Sequence, residues 1–183
     1  MSDGLEGVVA AETVLSEVDG EAGRLVIRGY PVSALSGHIT SEQATHLLLD
    51  GFFDDLPDAA GLAAAIGRAR AEVFTEVAAL DQRLVALSTI VGVRALMARL
   101  ADGDDLTVAL RLIAAPAVFT PAVSRRKAGL SPLAPDPALG HAADVLRMIK
   151  GEAAEPAEID ALNAYLVTVC DHGLNASDRK SVV

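Results

Sequence analysis

The chain has 183 residues, of which 51% are hydrophobic, 3% aromatic and 22% charged, and its formal net charge is −10. Disorder is excluded, because disordered chains are poor in apolar residues, and Cys170, the only cysteine, excludes a disulfide framework. A globally acidic chain is repelled by nucleic acid and by anionic membrane surfaces, so neither is expected as a partner.

The first thirty residues read as strands. Val8, Val9, Val14 and Val18 give a loose β pattern, Asp19-Gly20-Glu21-Ala22-Gly23 is a turn signal, and residues 24–30 form a second strand. A short N-terminal β-hairpin is the simplest account, and everything after it reads helical. Thr40 and Gln43 form a capping box ahead of a helix that runs through Leu47-Leu48-Leu49 to Gly51. Pro57-Asp58 starts an alanine-rich helix to about residue 73. Residues 81–100 read as one helix, apolar nearly all round, and so central or at an interface. Asp102-Gly103-Asp104-Asp105 is a turn and cap before a helix from residue 106, which Pro116 and Pro121 must kink or break. Three prolines mark residues 131–137 as a loop. Helices follow at about 138–150 and 156–174. The longest uncharged apolar stretches, 84–93 and 112–124, fall short of the roughly 20 residues that span a bilayer. Residues 1–6 lack a basic region followed by an apolar core, so no signal peptide is expected. One unpaired cysteine fits a reducing compartment, and a cytoplasmic location is expected.

Candidate chemistry is sparse. Gly20-Glu21-Ala22-Gly23 is a poor phosphate loop, because Asp19 and Glu21 put negative charge where the anion would sit. Asp102, Asp104 and Asp105 lack the closing Glu of a calcium loop and read as helix capping. Arg125-Arg126-Lys127 is the strongest basic run; a cationic helix end is favoured over an anion site. Cys170, among Val167, Val169 and Leu174, reads as a small buried apolar residue. His38, His46 and His141 have no metal-like spacing, and no metal site is expected. His172 falls on a small, polar stripe of the last helix with Ala161, Tyr165 and Thr168, beside Asp171, Asn175 and Ser177. Such a stripe suits a cleft wall that binds a carboxylate or carbonyl oxygen, although spacing alone favours an ordinary histidine.

Four segments carry a family resemblance. Gly4-Leu5-Glu6-Gly7-Val8-Val9-Ala10 with residues 18–30 closely resembles the N-terminus of bacterial citrate synthases. Residues 42–51, with the triple leucine, look like the next family helix. His141-Ala142-Ala143-Asp144-Val145-Leu146-Arg147-Met148 is similar to a helix that usually reads His-Ala-Ala-Asn-Phe-Leu-Tyr-Met, from which Asp144 and Val145 depart. Asp171-His172-Gly173-Leu174-Asn175-Ala176-Ser177 matches a family signature. The resemblance covers residues 4–177.

It implies a mainly α, multi-helical citrate synthase-like fold, with residues 1–177 as the N-terminal part of the large domain. It implies a homodimer that condenses acetyl-CoA with oxaloacetate to citrate and CoA, with no cofactor beyond acetyl-CoA as co-substrate. Propionyl-CoA, as in a 2-methylcitrate synthase, is the alternative substrate. In the family an aspartate takes a methyl proton, one histidine hydrogen-bonds the enol and a second assists at the oxaloacetate carbonyl. His172 belongs to none of these roles; the resemblance makes it an oxaloacetate-binding residue. Family members are about twice as long, so no catalytic residue is expected in this chain, and alone it is expected to be inactive and to associate. After Ala176-Ser177 the family continues with Thr-Phe and a long helix. Here residues 178–183 follow instead, and part of a common sequencing adapter can encode them, so they are expected to be a non-native tail; a frameshift or premature stop is the other explanation. A genuine short helical protein that binds a homologue without catalysis is the reading from a different class.

Overall fold

Among residues 13–173, which the computed structural model describes, the chain begins with antiparallel strands. Strands β1 (Ser16–Asp19) and β2 (Arg24–Ile27) form the expected hairpin, with Ser16 opposite Ile27 and Asp19 opposite Arg24. The Asp19 carboxylate accepts the Ala22 N–H at 2.9 Å and closes the turn. A two-residue third strand, β3 (Tyr30–Pro31), pairs back on β2 and was not foreseen. The β2–β3 turn puts both Arg28 (φ 48°) and Gly29 (φ 87°) in the left-handed region, the geometry that matches strand twist in a two-residue hairpin. Residues 8 and 9 of the expected strand lie outside the described residues.

Helices follow: α1 (Val32–Leu35), α2 (Ser41–Leu49) and α3 (Ala59–Val73). The capping box at α2 is present in both directions: Thr40 Oγ1 accepts from the Gln43 N–H and Gln43 Oε1 accepts from the Thr40 N–H. Asp58 caps α3 by accepting the Gly61 N–H at 2.7 Å. Each such cap is worth about 1 kcal/mol. A short 3₁₀ helix (Phe74–Ala79) continues α3.

The single helix expected over 81–100 is two helices, α4 (Gln82–Ala86) and α5 (Thr89–Met97). Leu87 and Ser88 are extended between them. The break has a tertiary cause. Lys127 Nζ donates to the carbonyls of Val85 at 3.0 Å and Leu87 at 2.5 Å, which satisfies the end of α4. Gly92 brings the backbone of α5 close to both neighbours; a Cβ there would lie 3.4 Å from the Leu84 carbonyl and 3.5 Å from Val123.

Helix α6 (Leu106–Lys127) runs unbroken through Pro116 and Pro121, so neither proline breaks it. Each proline removes one backbone donor. Burial compensates: Ala114, Ala115, Val118, Phe119 and Val123 are at most 1% exposed, packed against α3 and α5. By length and composition α6 is able to cross a membrane, yet 56% of its apolar window is buried inside the protein, which makes it the central core helix. The loop expected at 131–137 is present. It leads to α7 (His141–Lys150) and α8 (Pro156–Thr168). The main core lies between α3, α5, α6 and α7, and a smaller one joins Ile27, Leu35, Ala44 and Val167 across β2, α1, α2 and α8. The fold is thus mainly α with a small antiparallel sheet.

Candidate functional site

Helix α8 starts where the sequence dictates. Pro156 sits in its first turn, and Glu155 and Glu158 form a capping box. Its inner face is tied to the α1–α2 corner: Asn163 Oδ1 accepts the Ser41 N–H at 3.0 Å, and Ser36 Oγ donates to the Ala164 carbonyl at 3.1 Å. Near its end Val167 is fully buried, whereas Val169 is 48% exposed. The helix stops at Thr168, short of the expected residue 174. His172 therefore lies beyond α8 rather than on the stripe with Ala161, Tyr165 and Thr168. It is exposed, while Asp171 and Gly173 on either side are partly buried. Asp171 Oδ2 accepts the Gly173 N–H at 3.2 Å. Gly173 has φ 87° and rests near β1; a Cβ there would be 3.6 Å from a Val18 methyl. Cys170 is half-buried against the smaller core, and burial, helped by the Asp171 charge, raises its thiol pKa. A raised thiol pKa disfavours the thiolate that a nucleophilic cysteine needs. Asn175 and Ser177 lie outside the described residues.

A second constellation was missed by sequence reasoning. Arg70 of α3 and Asp144 of α7 are both 0% exposed and paired at 2.9 Å. The Arg70 guanidinium also donates to the carbonyls of Leu139 (2.7 Å) and Asp136 (3.2 Å), and lies 3.4 Å from His141 Nδ1. Arginine only donates, so Nδ1 accepts and the neutral ring carries its proton on Nε2. Asp144 further accepts from Arg147 and from the Asp136 N–H. Glu42 of α2, also buried, accepts the His141 N–H at 2.6 Å. Burial, then the Arg70 charge, push the His141 pKa down to about 4, against an opposing pull from Glu42 and Asp144. Burial would raise the Glu42 carboxyl, but hydrogen bonds from the His141 backbone, its own backbone, Thr40 and Ser41 together lower it.

These groups face one another and the 131–140 loop, and they clamp that loop against α3. The signal for Arg70 was its register. It follows Leu62 and Ile66 and precedes Val73 on the core-facing side of α3, where an arginine needs a buried partner. His46 Nε2 lies 3.1 Å from the Pro57 carbonyl, a packing role, and His38 lines a shallow cleft with Thr40, Gln43, Asp160 and Asn163. Arg125 donates to the Ser131 carbonyl and Lys127 to the end of α4, so two members of the basic run are structural. Among the described residues no group of three or more His, Cys, Asp or Glu is placed to hold a metal ion.

The fold belongs to a known class of protein. Residues 4–179 match the family model described as citrate synthase, C-terminal domain. The chain belongs to the citrate synthase family. It is 34% identical over 200 residues to a citrate synthase of Haloferax volcanii, covering 98% of this chain and 51% of that protein. It is 32% identical over 185 residues to a 2-methylcitrate synthase of Mycobacterium tuberculosis, covering 95% and 46%. The crystal structure of citrate synthase from Thermotoga maritima superposes with a TM-score of 0.78 at 25% identity, over 97% of this chain and 48% of that one. The citrate synthase of Thermoplasma acidophilum, solved as a ternary complex with carboxymethyl coenzyme A and oxaloacetate, gives 0.72 at 28% identity, over 97% and 49%. The chain spans about half the length of the relatives it matches.

Proposed function

We propose that this chain is the oxaloacetate-holding part of a citrate synthase, an acyltransferase that joins acetyl-CoA to oxaloacetate and releases citrate and CoA. The observation that carries this reading is the family match, which runs from residue 4 to residue 179 and includes the His172 segment. Residues 1–177 then belong to the large domain. His172 contributes a hydrogen bond to an oxaloacetate oxygen; its exposure beyond α8 leaves the ring free for a ligand. On this reading the family's proton-abstracting aspartate and its two catalytic histidines belong to the part of the enzyme outside these 183 residues, and the chain alone has no useful turnover. General acid–base groups are each worth roughly 10²–10⁴ in rate. The complete enzyme is read as a cytoplasmic homodimer. Ile90 on α5, 73% exposed, and Leu87 beside it, 41% exposed, offer a second copy an apolar surface.

The relative from Mycobacterium tuberculosis favours a second reading, a 2-methylcitrate synthase that takes propionyl-CoA. CoA release from acetyl-CoA and from propionyl-CoA, each with oxaloacetate, separates the two in the protein expressed from the complete gene. The same assay on the pure 183-residue chain is expected to give nothing above background; measurable turnover there would overturn the inactivity proposal. A short non-catalytic protein would instead behave as a monodisperse monomer.

A further inference from the structure

The segment bearing His172 is anchored on both sides. Before it, Val167 and Cys170 pack with Ile27, Leu35 and Ala44. After it, Gly173 lies beside β1, where a Cβ would be in ordinary contact with Val18 at 3.6 Å and Ser16 Oγ at 3.9 Å. Its φ of 87° is one that side-chain-bearing residues rarely adopt. Between the anchors, the Asp171 side chain accepts the Gly173 N–H at 3.2 Å. That bond spans His172 and closes a small ring of backbone with His172 at its apex. Asp171 and Gly173 are partly buried and His172 is exposed.

We propose that Asp171 is the positioning residue for His172, with β1 as the surface against which the turn is held. The turn fixes the direction in which the imidazole leaves the protein, so a ligand carboxylate or carbonyl meets an ordered donor instead of a mobile tail. The proposal rests on the reading of His172 as the oxaloacetate contact. It also accounts for the small sheet, since β1 backs the substrate histidine across roughly 150 residues of chain separation.

The test uses the protein expressed from the complete gene, with Asp171→Asn, Asp171→Ala and Gly173→Ala variants, followed by hydrogen exchange of the Gly173 amide and NMR of the His172 ring. Asn keeps a carbonyl acceptor and Ala has none. Asp171→Ala is expected to speed exchange of the Gly173 amide about tenfold or more and to average the His172 ring signals over several rotamers. Asp171→Asn should restore both. Signals from Ile27 and Val167 report that the smaller core is intact, and Gly173→Ala should disturb the ring with Asp171 still present. Unchanged exchange and ring signals in Asp171→Ala would overturn the proposal. Titration with oxaloacetate separates it from its premise. A His172 response that is equally tight in wild type and Asp171→Ala sinks the positioning role alone. No response in wild type sinks the oxaloacetate contact and the proposal with it.

Discussion

Arg70 and Asp144 meet at 2.9 Å with neither side chain exposed to solvent, and they lie 74 residues apart in the chain. The pair is the centre of a clamp that joins α2, α3, α7 and the 131–140 loop. Two ions are costly to bury, and here each has further hydrogen bonds to offset that cost. Removing one ion leaves the other stranded. Arg70→Ala is expected to cost about 3–5 kcal/mol of stability, and Arg70→Met with Asp144→Leu substantially less. Urea unfolding of the two variants checks this. A loss under about 1 kcal/mol in Arg70→Ala would mean that the pair does not hold the loop.

The clamp also makes stability depend on pH. His141 is held neutral, with a folded pKa near 4 against an unfolded value of 6.5. Between those values the unfolded chain binds a proton that the folded chain does not, so stability falls as pH drops from about 6.5 to about 4. The loss is on the order of 3 kcal/mol. Glu42, whose folded pKa is lowered, adds a further loss as pH falls below its ordinary value of 4.5. His141→Gln should flatten the upper part of this dependence. Thermal unfolding between pH 7 and pH 4 decides it, and equal slopes in variant and wild type would rule out His141 as the source.

Gly67 tests the same loop from the side of α3. A Cβ at this position would lie 2.3 Å from the Pro137 carbonyl oxygen, which is backbone and cannot turn away. Gly67→Ala is expected to destabilise the chain by about 1–3 kcal/mol, despite alanine's better helix propensity. A neutral or stabilising effect in chemical denaturation would show that the loop relaxes freely.

Much of this was legible because it is local. Thr40 and Gln43 sit three residues apart, and the cap they form needs nothing else. Asp58 and Asp105 likewise announce the helices they cap. What was not legible is set by distant chain. The break at Leu87–Ser88 depends on Lys127, about forty residues on. The continuity of α6 through two prolines depends on the packing of α3 and α5 against it. The partners of Arg70 lie 66 to 74 residues away, so only its core-facing register hinted at them. At the candidate site, the Asp-His-x-x-Asn-Ala-Ser motif was legible as a pattern. The end of α8 at Thr168 was not, and it moves His172 from a helix stripe to an exposed turn.

Association is the next expected outcome. Ile90 is 73% exposed on a helix whose other face is packed against α6. Ile90→Asp should shift the chain toward monomer in sedimentation velocity at concentrations where wild type associates. A monodisperse wild-type monomer would contradict the homodimer reading for this surface.

The most direct measurement is to read the gene in source DNA past the codon for Ser177. A frame that continues with Thr-Phe and then supplies two histidines and an aspartate in family contexts is the expected result, and it makes this chain the oxaloacetate-holding part of a longer enzyme. A native stop after Val183 would contradict that, and the catalytic reading would fail for this protein.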